Sequence, residues 1–200
     1  MSTPIAEPLT PTVDAPRRYL PEEYLAMEVE AAERHEYRDG EIIPMAGGTP
    51  NHNKLALNLA TALNFALKRQ PYEVYMTDQR LWIPNHPTYT YPDIMVVAQP
   101  LVYAPDRRDT LTNPLLIIEI LSPSTETDDR GTKFALYRTI TSFQEYILVA
   151  QDRIYLEQYT KTNDRQWLFT PYTATDTAVT LDSLNLEIAI ADIYDKVVLA

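Results

Sequence analysis

Two carboxylates stand where carboxylates are costly. Glu119 interrupts the run Leu115-Leu116-Ile117-Ile118-Glu119-Ile120-Leu121, which reads as a buried strand. An ionised acid in such a strand costs several kcal/mol unless a cation or a metal ion neutralises it. Asp93 follows Pro92 and opens Ile94-Met95-Val96-Val97, a second strand that reads as buried on both faces. Neighbouring strands lie about 4.8 Å apart, so the pair can aim both acids at one divalent ion. The chain between them is long enough for the second strand to return beside the first. Lys133 sits on the helix expected next, from which an ammonium can reach the strand's end and meet a phosphate oxygen or an attacking water.

Blander readings stand beside each of these. Glu119 can face solvent at a sheet edge or pair with Arg80 or Arg138, Pro92-Asp93 is also a common turn dipeptide, and a lone Lys usually ends up solvated. Glu36 and Glu41 flank an Asp39-Gly40 turn and offer further acids. His52 lies near a helix N-terminus, where it either helps to cap the helix or approaches a substrate.

Composition narrows the chemistry. The chain has no cysteine, which removes disulfide scaffolds, thiol nucleophiles and every zinc site that needs a thiolate. Any metal must be held by oxygen or imidazole. The three histidines, His35, His52 and His86, are not paired at helical spacing, so an oxygen-ligated ion such as magnesium fits better than zinc. Acidic residues number 28 against 17 Lys plus Arg, for a net charge of −11. That balance argues against a broad, non-specific nucleic-acid coat or an anionic-membrane binder, while leaving room for a locally basic groove. Gly47-Gly48 lead to no Gly-Lys-Ser/Thr, and neither Gly-x-Ser-x-Gly nor His-Glu-x-x-His occurs, which removes P-loop kinases, α/β-hydrolases and zincins. The first residues lack the charged-then-apolar order of a secretory signal and no apolar run reaches membrane-spanning length, so a soluble, cytoplasmic protein without a membrane partner is expected.

The elements that must position these residues follow from pattern. Pro4, Pro8, Pro11 and Pro16 predict a flexible tail over residues 1–18, with a single domain over 19–200. Pro21-Glu22-Glu23 opens a short helix. Residues 35–43 read as a hairpin about Asp39-Gly40. Asn51 is expected to cap a helix running to about Arg69, with Leu55, Leu59, Leu63, Ala66 and Leu67 as its apolar stripe. Strands are predicted over 73–83, 93–98 and 115–121, a second helix over about 128–138, and a meander over 145–150, 154–159 and 166–172. The result is a mixed α/β (α+β) domain.

Three stretches carry a resemblance: Tyr91-Pro92-Asp93-Ile94-Met95-Val96-Val97, Ile118-Glu119-Ile120-Leu121-Ser122-Pro123-Ser124-Thr125, and Asp129-Arg130-Gly131-Thr132-Lys133-Phe134-Ala135-Leu136-Tyr137. With Glu36-Tyr37-Arg38-Asp39-Gly40-Glu41 and His52 upstream, the chain resembles the Uma family of endonucleases within the PD-(D/E)XK, restriction-endonuclease-like superfamily. The resemblance covers roughly residues 19–159 and implies a central mixed β-sheet flanked by helices. It implies Asp93 and Glu119 as metal-binding acids, the backbone carbonyl of Ile120 as a further ligand, and Glu36 as an additional acid. The usual pattern has a Lys two residues after the Glu, and here that position is Leu121. Lys133 matches the alternative in which the following helix supplies the lysine.

The expectation is therefore a magnesium- or manganese-dependent phosphodiesterase acting on DNA, as a homodimer. In it Asp93 and Glu119 hold the ion, Lys133 acts on the attacking water and the charge developing on phosphorus, and Glu36, with Glu41 and His52, is auxiliary. The alternatives are a catalytically silent protein-interaction domain that keeps the same acids, and a sugar- or nucleotide-processing metalloenzyme with a small pocket.

Overall fold

The structure is a computed structural model that describes residues 17–45 and 47–199. Of the expected tail, residues 1–16 lie outside the described residues, and Arg17 and Arg18 are exposed. Helix α1 (Pro21–Glu30) has Pro at its first turn and Glu22 and Glu23 at its positive end. Strands β1 (His35–Arg38) and β2 (Glu41–Pro44) pair antiparallel. Asp39 and Gly40 both take positive φ, 45° and 93°, which is why this turn needs Asp-Gly.

Helix α2 (Pro50–Ala66) is the expected long helix, with Leu55, Leu59 and Leu63 buried on one face. Its cap is Thr49 rather than Asn51: the Thr49 hydroxyl accepts from the His52 N–H, and Pro50 fills the first helical position, where no N–H is needed. Asn51 is instead spent on tertiary bonds to the carbonyls of Gln151 and Val198. Removing the cap by Thr49→Ala should lower stability by about 1 kcal/mol in thermal or denaturant unfolding.

The single strand expected over 73–83 is two, β3 (Tyr72–Met76) and β4 (Arg80–Ile83), in different sheets. The break is at Thr77, whose φ is 52° and whose N–H donates to the Asp93 carbonyl. Then come β5 (Thr88–Thr90), β6 (Ile94–Ala98), β7 (Thr110–Leu111) and β8 (Pro114–Leu121). Helix α3 covers residues 126–137 and starts two residues earlier than its pattern suggested. Its middle, Asp129–Lys133, is π-wound between α-helical Glu126–Asp128 and Phe134–Tyr137. The expected meander is β9 (Glu145–Ala150), β10 (Tyr155–Asn163) and β11 (Gln166–Thr173). A hairpin of β12 (Ala178–Leu181) and β13 (Leu186–Ala189) and a short α4 (Ile190–Ile193) follow.

A six-stranded mixed sheet, in the order β11-β10-β9-β8-β6-β3, organises the molecule. Only β8 and β9 run parallel in it, and α3 lies in the crossover that this requires. Strict alternation divides its side chains between two cores. Ile94, Val96, Leu116, Ile118, Ile120, Ile147 and Val149 pack under α2, the β12–β13 hairpin and α4. Met95, Val97, Ile117, Leu121, Tyr146 and Leu148 pack with Phe134 and Tyr137 of α3 and with Leu81, Ile83 and Leu111 of a smaller sheet, β2-β1-β5-β4-β7. No helix among the described residues is long and apolar enough to cross a membrane.

Candidate active site

The same alternation decides where the acids point. Glu119 occupies the β8 position between Ile117 and Leu121, so it faces α3 and the small sheet, and only 3% of it is exposed. Strand β6 runs antiparallel to β8 with Ile94 opposite Ile118, and one residue further along that register Asp93 stands opposite Glu119 on the same face. The two strands exchange side-chain bonds there: the Asp93 N–H donates to Glu119 Oε2 (3.1 Å), and the Ile120 N–H donates to Asp93 Oδ2 (2.8 Å).

Helix α3 supplies the groups that answer Glu119. Asp129, Lys133 and Tyr137 recur every fourth residue and line one face. The Tyr137 hydroxyl donates to Glu119 Oε1 (2.8 Å), and Lys133 Nζ donates to the same oxygen (3.3 Å). Lys133 Nζ also lies 3.1 Å from Asp129 Oδ1 and 3.5 Å from Glu36 Oε1. Its side chain is 12% exposed. The ammonium is therefore ringed by three acids from β1, β8 and α3. Neither Arg80 nor Arg138 reaches Glu119: Arg80 donates to Tyr91 and lies near Asp109, and Arg138 stacks on Phe134.

His52 comes from the first turn of α2, with Nε2 3.1 Å from Asp93 Oδ2. Gly48 lies against its ring, and a Cβ there would sit 2.9 Å from His52 Nδ1, which accounts for glycine in a pair that no phosphate loop explains. Glu36 accepts from Thr90 of β5 (2.5 Å), with Arg38 two residues on along the same face of β1. Arg38 forms two 2.7 Å bonds to Asp128. Glu36, Arg38, His52, Asp93, Glu119 and Lys133 line a cleft of about 500 Å³ between the two sheets. Glu41 is exposed at the start of β2 and does not line it.

Electrostatics mark the site as short of positive charge. Burial pushes the Glu119 carboxyl up, Lys133 pulls it back only in part, and Asp93 and Asp129 push it further up. Asp129 is raised by burial in the same way. Burial alone would lower Lys133, but Glu119, Glu36 and Asp129 hold it well above its ordinary value. For His52, burial is the largest single influence and lowers the imidazole, but the bond to Asp93 together with the charges of Asp93 and Asp129 outweighs it, and the imidazole is raised.

Among the described residues no three Asp, Glu or His side chains converge into a ready-made ion cage. The donor set nevertheless suits a hard divalent cation, because three carboxylates, Glu36, Glu119 and Asp129, share one lysine and a fourth, Asp93, meets the His52 imidazole instead. Magnesium keeps several waters and needs only one or two carboxylates from the protein, so a complete cage is not required. The positions singled out in the sequence, Glu36, His52, Asp93, Glu119, Ile120 and Lys133, all line the one cleft. Arg38, Asp128, Asp129 and Tyr137 belong with them and were missed. The four-residue spacing of Asp129, Lys133 and Tyr137 was the available signal for the last two.

The chain matches the model of the Uma2 family, described as "Putative restriction endonuclease", over residues 21–191. It is 44% identical over 148 residues to the uncharacterized protein sll1609 of Synechocystis sp., covering 74% of this chain and 84% of that one. It is 39% identical over 176 residues to the uncharacterized protein slr1290 of the same organism, covering 87% and 90%. A crystal structure from Anabaena variabilis, described as a putative nuclease belonging to DUF820, superposes with a TM-score of 0.70 at 20% identity, over 89% of this chain and 98% of that one. At that identity the likeness concerns the fold, and it agrees with a mixed sheet flanked by helices. The family match spans both acid-bearing strands, the lysine-bearing helix and the opening hairpin, and the chain belongs to the Uma2 family of restriction-endonuclease-like proteins.

Proposed function

We propose that this protein is a divalent-metal-dependent endonuclease that hydrolyses phosphodiester bonds in duplex DNA. The observation that carries the reading is Lys133 held between Glu119, Asp129 and Glu36, beside Asp93, in an open cleft. Asp93, Glu119 and the Ile120 carbonyl hold magnesium or manganese. When bound, the ion supplies Lewis acidity toward a phosphoryl oxygen and toward the attacking water. Lys133 orients that water and stabilises charge developing on the phosphoryl group, and Asp129 and Glu36 keep its ammonium aimed. His52 holds Asp93 from the other side, and Tyr137 fixes the rotamer of Glu119. A homodimer in the cytoplasm, each subunit cutting one strand, completes this reading. The family match and the charge-deficient acidic cluster support it.

Cleavage of supercoiled and linear DNA with magnesium or manganese, over a range of salt, tests it. Wild type should cut, and Asp93→Ala and Glu119→Ala should each lose roughly 10²–10³-fold or more in rate. Affinity for the duplex should fall steeply with salt. A wild type that neither cuts nor binds an ion by calorimetry overturns the reading and leaves the fold as an interaction scaffold.

A further inference from the structure

The cleft must admit a polyanion although acids dominate its walls. Apart from His52, its lining holds two cationic side chains, Lys133 and Arg38. Lys133 is committed to the acids around it. Arg38 is held differently: its fork meets both Asp128 oxygens at 2.7 Å, with Glu36 Oε2 at 3.5 Å behind it. The Asp128 contact raises Arg38, and Arg38 lowers the Asp128 carboxyl against the effect of burial.

Three features set this pair apart from a finished structural ion pair. It sits at the cleft lining rather than in the core, with side chains 21% and 35% exposed. Arg38 Nε is buried without a hydrogen-bond partner among the described residues, so the guanidinium is not fully satisfied where it is. Asp128 is the last residue before the π-wound turn of α3, where the regular ladder of helix bonds is interrupted. A carboxylate and a phosphodiester each offer two oxygens in the spacing that a guanidinium fork accepts, and lysine cannot imitate that geometry.

From this we infer that Arg38 is a phosphate subsite of the cleft and that Asp128 is its built-in placeholder, displaced when a substrate phosphate takes the fork. The inference rests on the endonuclease reading and names how that site receives a strand. Glu36 anchors the back of Arg38 during the exchange, so the guanidinium keeps its place while its partner changes. Neutralising Asp128 leaves the fork open, and removing Arg38 leaves no second cation for the backbone.

The test measures binding of a fluorescein-labelled duplex by anisotropy, with calcium as the hard cation, alongside thermal shift with inorganic phosphate. Asp128→Asn should bind duplex about tenfold more tightly than wild type and be stabilised more by phosphate. Arg38→Ala should bind at least tenfold more weakly and reduce the salt slope by about one. The double variant should behave like Arg38→Ala, and Arg38→Lys should fail to restore wild-type binding. If Asp128→Asn gains nothing with either probe, or weakens binding as much as Arg38→Ala does, the placeholder is only a structural ion pair and the inference falls, whether or not wild type cuts DNA. If phosphate stabilises Asp128→Asn through Arg38 while no variant binds or cuts DNA, the subsite stands and the endonuclease reading falls.

Discussion

Lys133→Met should cost the metal-free protein about 3 kcal/mol of stability at neutral pH, and magnesium should return much of it. Lys133 Nζ is the shared partner of Glu119, Asp129 and Glu36, and Glu119 and Asp129 are 3% and 2% exposed. Because Lys133 lowers both Glu119 and Asp129, removing it leaves the buried acids either charged without their cation or obliged to take up protons, and either outcome costs stability. Lys133 is raised in the fold, so its contribution is complete below the ordinary lysine value of 10.5 and fades only as pH climbs through the higher folded value. The loss should therefore be visible across the whole neutral range. Denaturant unfolding in chelator and in magnesium measures it. A variant as stable as wild type in chelator would mean that the acids are already neutral or solvated, and that the lysine does not hold the cluster together.

Glu119→Gln should have the opposite effect on stability. Between its ordinary 4.5 and its raised folded value, Glu119 keeps a proton that the unfolded chain has released. Stability from this group is therefore greatest at acid pH and falls as pH rises through that interval. The amide has nothing to ionise. At pH 8 in chelator the variant should be more stable than wild type by about 1–3 kcal/mol, with a flatter dependence on pH, while cleavage is lost. Combining it with Lys133→Met should recover a large part of the lysine variant's deficit, because the two groups share one electrostatic balance. Thermal unfolding from pH 5 to pH 9 gives both results. A wild-type profile that rises over this range would reverse the sign assigned to Glu119.

The sequence carried more of the site than its separate signals suggest. Residues 93 and 119 have the same parity, so the observed register, with Ile94 opposite Ile118, puts both acids on one face. The long apolar helix, the Asp39-Gly40 hairpin and the meander are equally local in origin: each follows from a stripe, a turn residue or an alternation that a few neighbouring residues define. Where local signals competed, the reading slipped. Asn51 looked like a cap because Asn can cap, but the hydroxyl two residues earlier takes the His52 N–H and Asn51 serves distant carbonyls. The run over 73–83 looked like one strand because nothing in it is Gly or Pro, yet Thr77 turns left-handed to follow Asp93.

By itself, the sequence determined the two acid-bearing strands, the absence of thiolate chemistry and the helix that carries Lys133, because composition and short-range periodicity are sufficient for each. Only the tertiary structure decided which groups neutralise the acids. Glu36, Glu119 and Lys133 come from three separate elements and Asp93 from the residue just before β6, and Arg38 meets Asp128 across 90 residues of chain. Such contacts depend on how sheets and helices pack, and no local propensity encodes them. A buried carboxylate announces that it needs a partner, but the identity of that partner is settled only when the fold has brought the distant cation within about 3 Å.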